Sequence, residues 1–527
     1  MKNRIFFTRH FVSQSVAFRM RDKMLNPNRL RNAGIRMIRL QLTSEAFEQD
    51  IRPLIKSFFP KEELCLSYGE EPEEGTWSYL LKGEWREDAF CLSLYRDGDA
   101  SHAVQSEEKR VLLAEKKKYR DEVKRAVYRM LSAQTGKELP WGTLTGVRPV
   151  KQVLERLEAG EPAESIDAFL REEYYCSEEK RRLSLAVAGR EKELLTGIDY
   201  KNSYSLYLGI PFCPTTCLYC SFTSYPLERF GHLTGAYVEA LKKEIEASAK
   251  LLSAKKLATV YFGGGTPTAL SVDELREVIR TLKGYFPVEK AAEWTVEAGR
   301  PDSITKEKLQ MLYEEGVTRI SVNPQTMNQK TLELIGRRHT TEDIRKAYTQ
   351  AREIGFDNIN MDLILGLTGE NAKDVEETLR QIGILSPDSV TVHTLALKRA
   401  ARLNIEREQY QGKGAVQVSD MLAASVRFAK EHGYEPYYLY RQKNMEENLE
   451  NVGYARPGKE GLYNILIMEE KHSILALGAG GATKLVLSGG ERLERSENVK
   501  SLKDYLERTD EMIARKKAFF EQYKGFY

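Results

Sequence analysis

One feature constrains the fold of this 527-residue chain more than any other. Between Ser205 and Thr394, short β-prone runs alternate with helical ones six times. The runs are Ser205–Ile210, Ala258–Phe262, Glu293–Glu297, Thr318–Val322, Asn358–Ile364 and Val390–Thr394. Between them, apolar residues recur at helical spacing. Leu233, Tyr237, Leu241, Ile245 and Leu252 mark the first helix. Leu275, Val278, Ile279 and Leu282 mark the second, behind a Ser271-x-x-Glu274 capping box. Thr340 or Thr341 opens another, which shows Ile344, Ala347, Tyr348 and Ala351 and stops at Gly355. Asn371-x-x-Asp374 opens a further one. Successive β/α units predict a parallel sheet. Right-handed crossovers curl such a sheet into a barrel or partial barrel, with function at the carboxyl ends of its strands.

The first strand runs into Tyr207-Leu-Gly-Ile-Pro-Phe-Cys213-Pro-Thr-Thr-Cys217-Leu-Tyr-Cys220, so three of the six cysteines fall within eight residues, spaced C-x3-C-x2-C. Three thiolates this close can share one metal centre, zinc or an iron–sulfur cluster. No fourth ligand is nearby: the nearest histidine, His232, lies twelve residues beyond Cys220. A [4Fe–4S] cluster held by three cysteines leaves one iron open to a small molecule, which suits chemistry. A structural zinc completed by a distant histidine is the competing reading.

The other strands also end in chemically capable residues. Strand two ends at Gly263-Gly-Gly-Thr-Pro267 and strand three at Glu297. Strand four runs into Asn323-Pro-Gln325, strand five carries Asp362, and strand six leads to His393 and Thr394. Each has a plain structural alternative. A triple glycine is often only a tight turn, and this one lacks the Lys-Ser/Thr of a phosphate loop. An acid at a strand end often caps the next element, and His393 reads equally as a satisfied histidine at the barrel mouth. Taken together, an acid and close glycine carbonyls suit a ligand with an ammonium group and ribose hydroxyls.

The remainder is ordinary in composition. A formal net charge of +3 gives no argument for nucleic acid. No apolar run approaches bilayer length and no signal-peptide core is present. Six cysteines, three of them clustered, predict a reducing, cytoplasmic setting rather than a disulfide framework, since open clusters are usually oxygen-sensitive. Residues 1–36 carry nine Lys/Arg against the single acid Asp22. An Arg-rich targeting leader, a basic arm and sequence upstream of the true start are the three readings, and the orderly pattern from Met37 favours the last. Residues 37–104 predict a small α+β domain: a strand Ile38–Leu42, a helix capped by Thr43, then strands Leu64–Tyr68, Trp77–Leu81 and Phe90–Tyr95. Cys65 and Cys91 read as core thiols there. Residues 105–197 read as a helical connecting region, with 105–135 helical. A Trp141–Pro149 loop follows, whose Arg148 binds an anion or caps a helix, and Cys176 falls in a loop between helices. The barrel takes 198–400. Residues 401–527 read as a separate C-terminal α+β domain covering it. Its expected parts are a helix at 415–432, an aromatic strand Tyr434–Tyr440, Gly-containing loops at 448–454 and 477–482, and a helical tail from Leu502.

The cysteine spacing behind Pro211-Phe212 resembles the radical S-adenosylmethionine (SAM) signature. Val260-Tyr-Phe-Gly-Gly-Gly-Thr-Pro-Thr268, Val322-Asn-Pro-Gln-Thr-Met327, Ile335-Gly-Arg-Arg-His339 and Asn360-Met-Asp-Leu-Ile-Leu-Gly366 narrow the likeness. From about Met37 onward, the chain resembles the oxygen-independent coproporphyrinogen III dehydrogenases, in their HemZ-like branch. The resemblance implies an α/β fold, a radical SAM partial (β/α)6 barrel. It implies a [4Fe–4S] cluster on Cys213, Cys217 and Cys220. It places SAM against Tyr207, Gly264, Gly265, Thr266, Glu297, Asp362 and Ala396, and a second SAM, where held, against Tyr219, Gln325 and Arg337. The implied reaction is oxidative decarboxylation of two propionates of coproporphyrinogen III to vinyl groups, giving protoporphyrinogen IX in haem biosynthesis. Arg337, Arg338, Lys398 and Arg399 would meet the substrate carboxylates. A flavodoxin or ferredoxin is the expected electron donor, and the chain is expected to act as a monomer.

Two positions depart from the pattern. The well-described dehydrogenases have His where this chain has Gly209, and a further cysteine where it has Phe222. Relatives without those residues include haem-binding chaperones that keep the fold and cluster. A haem-trafficking protein is therefore the competing expectation, and another radical SAM reaction on a tetrapyrrole, such as methyl transfer, is the third.

Overall fold

The computed structural model describes residues 37–60, 62–69, 77–395, 418–442, 449–487 and 492–527. The basic segment 1–36 and the expected site residue Ala396, with Lys398 and Arg399, lie outside these. The described chain forms two compact units, one of residues 37–145 and 167–181, the other of residues 146–166 and 182–527.

The first unit is built on strands β1 (Met37–Leu42), β2 (Glu63–Tyr68), β3 (Tyr79–Trp85), β4 (Ala89–Arg96) and β5 (Gln105–Arg110), in the order β2-β1-β3-β4-β5. One face of the sheet is apolar: Ile38, Leu40, Leu42, Phe90, Leu92 and Leu94 are buried with Ile51, Leu54 and Phe58 of the helix Glu48–Phe58 and Val123 and Val127 of the helix Lys116–Thr135. Two expectations are corrected here. Thr43 caps no helix; its Oγ1 accepts a hydrogen bond from Trp85 N at 3.1 Å. The helix starts five residues later, behind Phe47, whose left-handed φ of 62° lets its ring stack on Tyr119 at 5.1 Å. Residues 105–110 are an edge strand, not helix, and belong to this sheet. Their alternating charges mimic a solvated helix face, but every second side chain is turned to water. Cys65 and Cys91 are only half-buried, whereas Cys176 is buried between two helices as expected.

The second unit carries the six expected parallel strands: β6 (Ser203–Ile210), β7 (Lys256–Gly264), β8 (Glu293–Gly299), β9 (Arg319–Val322), β10 (Ile359–Leu365) and β11 (Ser389–Thr394). All three capping boxes form, at Ser271/Glu274, Thr340/Asp343 and Asn371/Asp374. The helices bury Leu275, Val278, Ile279 and Leu282, then Ile344, Ala347, Tyr348 and Ala351, then Val375, Leu379 and Ile382. Each Val, Leu or Ile among them removed from water contributes about 1.5–3 kcal/mol.

The residues from 418 onward do not build a separate sheet. Strands β12 (Glu435–Tyr440) and β13 (Asn451–Ala455) join antiparallel at the β11 edge. Strands β14 (Ser473–Leu477), β15 (Ala482–Leu487) and β16 (Arg492–Glu497) continue from β6, with β14 parallel to it. The result is one eleven-stranded sheet, β12-β13-β11-β10-β9-β8-β7-β6-β14-β15-β16. Residues 451–455, expected as loop, are thus a fully buried strand. Its Gly453 is required because a neighbour presses close: a Cβ there would fall within 2.2 Å of Tyr438 ring atoms. The expected boundaries at 104, 197 and 401 accordingly do not coincide with the edges of the two compact units.

Strand register decides which face meets the helices. Leu206, Leu208, Val260, Phe262, Val296, Ile320, Met361, Leu363, Val390 and Val392 are buried on the apolar face. The alternate residues share the other face in adjacent rows. Ser205 faces Thr259, Tyr207 faces Tyr261 and Gly209 faces Gly263. Asn360 faces Ser389, Asp362 faces Thr391 and Ile364 faces His393. This second face is polar and aromatic in strand after strand, which a purely structural core does not need. The helix Leu462–Glu469 lies against it. Its first amides, at Leu462 and Tyr463, donate to the Glu293 carboxylate at 2.6 and 3.2 Å, and its Tyr463 ring stacks on Tyr261 at 4.4 Å and Tyr207 at 6.4 Å. Arg148 takes the capping role. It donates to the carbonyls of Met468 and Glu469 and pairs with Glu470 at 2.8 Å, closing the other end of that helix.

Candidate metal and cofactor site

The cysteine loop leaves β6 at Pro211 and is tied down along its length. Tyr225 N donates to Pro211 O at 2.8 Å, Leu218 N to Ile335 O at 3.1 Å, and the Thr215 hydroxyl to Gly336 O at 3.0 Å. The Ile335-Gly336-Arg337 segment is therefore the wall on which the loop rests. Cys213 and Cys217 are buried and Cys220 half-buried. Two sulfurs receive hydrogen bonds: Thr266 Oγ1 reaches Cys213 Sγ at 3.5 Å, and Arg300 Nη1 reaches Cys217 Sγ at 3.7 Å. Burial pushes the Cys213 thiol up to about 11, so only a bound cation would hold it as thiolate near neutrality. Among the described residues, no three His, Cys, Asp or Glu side chains converge as ligands of one ion. A four-iron cluster makes no such demand, since each thiolate sits on its own iron.

The triple glycine of strand two is packed against this loop. Gly265 N donates to Ile210 O at 2.8 Å and Thr266 N to Phe212 O at 2.7 Å. A Cβ on Gly265 would lie 2.5 Å from Phe212 O and 3.0 Å from Cys213 Sγ. Gly264 has a φ of 110°, which side-chain-bearing residues rarely adopt. A Cβ on Gly263 would meet Tyr261 Cε1 at 2.9 Å and Glu297 Oε2 at 3.1 Å. The glycines are thus demanded by space, whatever binds there.

Two acids lie on the polar face. Glu297 accepts a hydrogen bond from the Tyr261 hydroxyl; burial, aided by the charge of Asp362, pushes its carboxyl up to about 7. Burial opposes the charge of Asp362 too. Yet His393, Asn360 and Thr391 outweigh it and hold that carboxyl below its usual value. Asn360 Nδ2 donates to Asp362 at 2.7 Å, and His393 sits between Asp362 at 3.8 Å and the Tyr440 hydroxyl at 3.1 Å. Two carboxyls on one sheet face thus favour different protonation states.

Beyond strand four the chain turns sharply. Gln325 is buried with a left-handed φ of 68°, and its backbone bridges to Asp362 O and Ile364 N. Arg337 is buried, donates to Asn323 O at 2.5 Å and to the Tyr219 hydroxyl at 3.1 Å. Gln325 Oε1 and Arg337 Nε have no hydrogen-bond partner among the described residues. Orphaned buried polar atoms beside a cysteine loop fit a polar ligand that completes them. The residues present therefore fit a cluster with SAM. Cys213, Cys217 and Cys220 could hold the iron, while the Gly264–Thr266 backbone, Glu297 and Asp362 could hold SAM.

Of the expected residues, Tyr207, Glu297 and Asp362 share the polar face, and Tyr219 and Arg337 meet directly. Arg338 stays exposed and pairs with Glu228 at 3.3 Å. Sequence reasoning passed over Thr215, Arg300, Asp302, Tyr261 and Tyr463. The strand-end rule would have found Arg300-Pro-Asp302, which stands just past strand three; nothing local marks Tyr463.

The sequence profile of the Radical SAM superfamily matches residues 207–382. The chain is 41% identical to the oxygen-independent coproporphyrinogen-III oxidase-like protein HemZ of Bacillus subtilis, over 75% of this chain and 80% of that protein. It is 30% identical to the heme chaperone HemW of the same organism, over 58% of this chain and 75% of that one. The solved coproporphyrinogen III oxidase HemN of Escherichia coli aligns with a TM-score of 0.49 and 25% identity, over 61% of this chain and 73% of that one. Three cysteines on the loop after strand one and a polar strand-end face behind them agree with the profile match and the identities to HemZ and HemW: the chain belongs to the radical SAM superfamily, in the family that includes HemZ and HemW.

Proposed function

We propose that the chain is a radical SAM enzyme that oxidises coproporphyrinogen III, converting two propionate side chains to vinyl groups in haem biosynthesis. The observation that carries the reading is the meeting, at the strand ends, of the cysteine loop with a polar face bearing Glu297, Asp362 and orphaned Gln325 and Arg337 atoms. The identity with HemZ supports the substrate class. A [4Fe–4S] cluster and SAM bound there would supply a 5′-deoxyadenosyl radical able to take a hydrogen atom from a propionate. Each propionate radical then loses CO2 and passes one electron to an external one-electron acceptor, leaving a vinyl group.

The chain's own residues hold and shield. Cys213, Cys217 and Cys220 ligate iron. The Gly264–Thr266 backbone, Tyr207, Glu297 and Asp362 hold SAM, while Tyr219, Gln325 and Arg337 hold a second SAM or a substrate carboxylate. The stacked rings of Tyr207, Tyr261 and Tyr463 form an apolar floor that keeps water from a reactive species. The electron donor is of the flavodoxin or ferredoxin class.

Gly209 supports a second reading, haem trafficking. A Cβ there would lie 3.3 Å from both Ala479 O and Tyr207 Cε1. The larger side chain of the well-described dehydrogenases would need the Tyr207 ring or the Gly478–Gly481 turn to give by a few tenths of an ångström. One experiment separates the readings: anaerobic reconstitution with reductant, SAM and coproporphyrinogen III, with 5′-deoxyadenosine, CO2 and tetrapyrroles quantified together. Protoporphyrinogen that disappears in Cys217→Ala is the expected result. Deoxyadenosine without CO2 points to another substrate. No SAM cleavage in a protein that binds haem stoichiometrically makes it a carrier.

A further inference from the structure

Arg300 is 3% exposed, yet its guanidinium faces the cysteine loop with every nitrogen engaged. Nε and Nη2 donate to the two carboxylate oxygens of Asp302 at 2.9 and 2.6 Å, a bidentate clamp. Nη1 donates to Thr215 O and Oγ1, both at 2.8 Å, and to Cys217 Sγ at 3.7 Å. Behind the clamp stands His339, 2% exposed, with Nδ1 3.7 Å from Asp302. Burying a guanidinium is costly, and an amide could tie the Thr215 carbonyl at less expense. A cation aimed at sulfur earns its place where that sulfur carries negative charge.

We propose that Arg300 is a positioning residue, clamped by Asp302 and backed by His339, that fixes Cys217 on the cluster and eases one-electron reduction of that cluster by the external low-potential donor. The inference rests on the iron–sulfur reading of the loop. Reduction adds one negative charge and breaks no bond. A buried guanidinium donating to a ligand sulfur stabilises the more negative state and raises the potential. At Cys213 the hydrogen-bond donor is the neutral hydroxyl of Thr266.

The test is a potentiometric titration, followed by electron paramagnetic resonance, of the anaerobically reconstituted full chain and of Arg300→Gln and Arg300→Lys. Iron and sulfide are measured first. At a fixed potential, the ratio of reduced to oxidised cluster in Arg300→Gln is expected about tenfold below wild type, a midpoint about 59 mV more negative for one electron. Arg300→Lys, which keeps a cation but not the fork, is expected between the two. A fully loaded Arg300→Gln with the wild-type midpoint overturns the proposal. Should that variant hold no cluster, Arg300→Lys decides alone, and a wild-type midpoint there overturns it equally. A wild-type chain that takes up no four-iron cluster overturns the iron–sulfur reading itself, and the iron and sulfide analysis distinguishes that result.

Discussion

Gly265→Ala is the sharpest test of how the glycine turn supports the cysteine loop. The added methyl would stand 2.5 Å from Phe212 O, 2.9 Å from Pro211 C and 3.0 Å from Cys213 Sγ. Two of these atoms are backbone, so no side-chain rotation relieves the clash. Neither segment can withdraw freely, because Gly265 N and Thr266 N donate to Ile210 O and Phe212 O at 2.8 and 2.7 Å. Overpacking of this kind costs about 1–3 kcal/mol, and losing one of those hydrogen bonds adds about 1 kcal/mol. The sum, about 2–4 kcal/mol, is less than the stability of most domains, so the chain should still fold. Cys213, however, must move. The expected outcome is a folded protein with a lowered urea midpoint that retains less than half the wild-type iron and sulfide after anaerobic reconstitution. Gly284→Ala serves as the control. It lies in the helix Val272–Tyr285, a Cβ there meets nothing within 4 Å, and it should load fully and gain up to about 1 kcal/mol. Wild-type loading and stability in Gly265→Ala would refute the steric reasoning.

Three further outcomes follow from the structure. Lys516 and Glu244 are buried partners 2.5 Å apart, and Glu244 also accepts from Gly478 N, Asn498 and Tyr505; Lys516→Met should cost about 3–5 kcal/mol in urea unfolding, and a loss under 1 kcal/mol would contradict it. Glu297 binds its proton more tightly folded, at about 7, than its ordinary 4.5, so its burial costs nothing below about pH 4.5 and most above pH 7. In the metal-free protein, Glu297→Gln should therefore stabilise by about 2 kcal/mol at pH 8, a figure discounted for partial exposure, and by almost nothing at pH 4.5; equal effects at both would refute the assignment. Tyr463→Ala, which removes the ring stacked 4.4 Å from Tyr261, should cost about 3–5 kcal/mol by unfolding, with little change expected if the helix Leu462–Glu469 is only loosely attached.

Much of the barrel was legible because its signals are local. Six β-prone runs, three capping boxes and Gly355 are read within a few residues, and each stands where expected. The strand-end rule brought forward Gly264, Gly265, Thr266, Glu297, Gln325 and Asp362 because parallel strands share one carboxyl end. Two of the misreadings share one cause. Gln105–Arg110 and Asn451–Ala455 owe their conformation to pairing with β4 and with β11 and β12, far away in sequence. Charge alternation in the first and small residues in the second carry no local sign of those partners.

The sequence by itself determined the repeat, the cysteine spacing and therefore the superfamily, since helical period, strand period and ligand spacing are properties of short segments. Only the tertiary structure decided that the C-terminal strands extend both edges of the barrel sheet, that Tyr463 packs beneath Tyr207 and Tyr261, and that Arg300, held by Asp302, points at Cys217. Each depends on which distant segments share a register or a buried contact. That choice is made by the burial of the whole unit at once, and no window of sequence contains it.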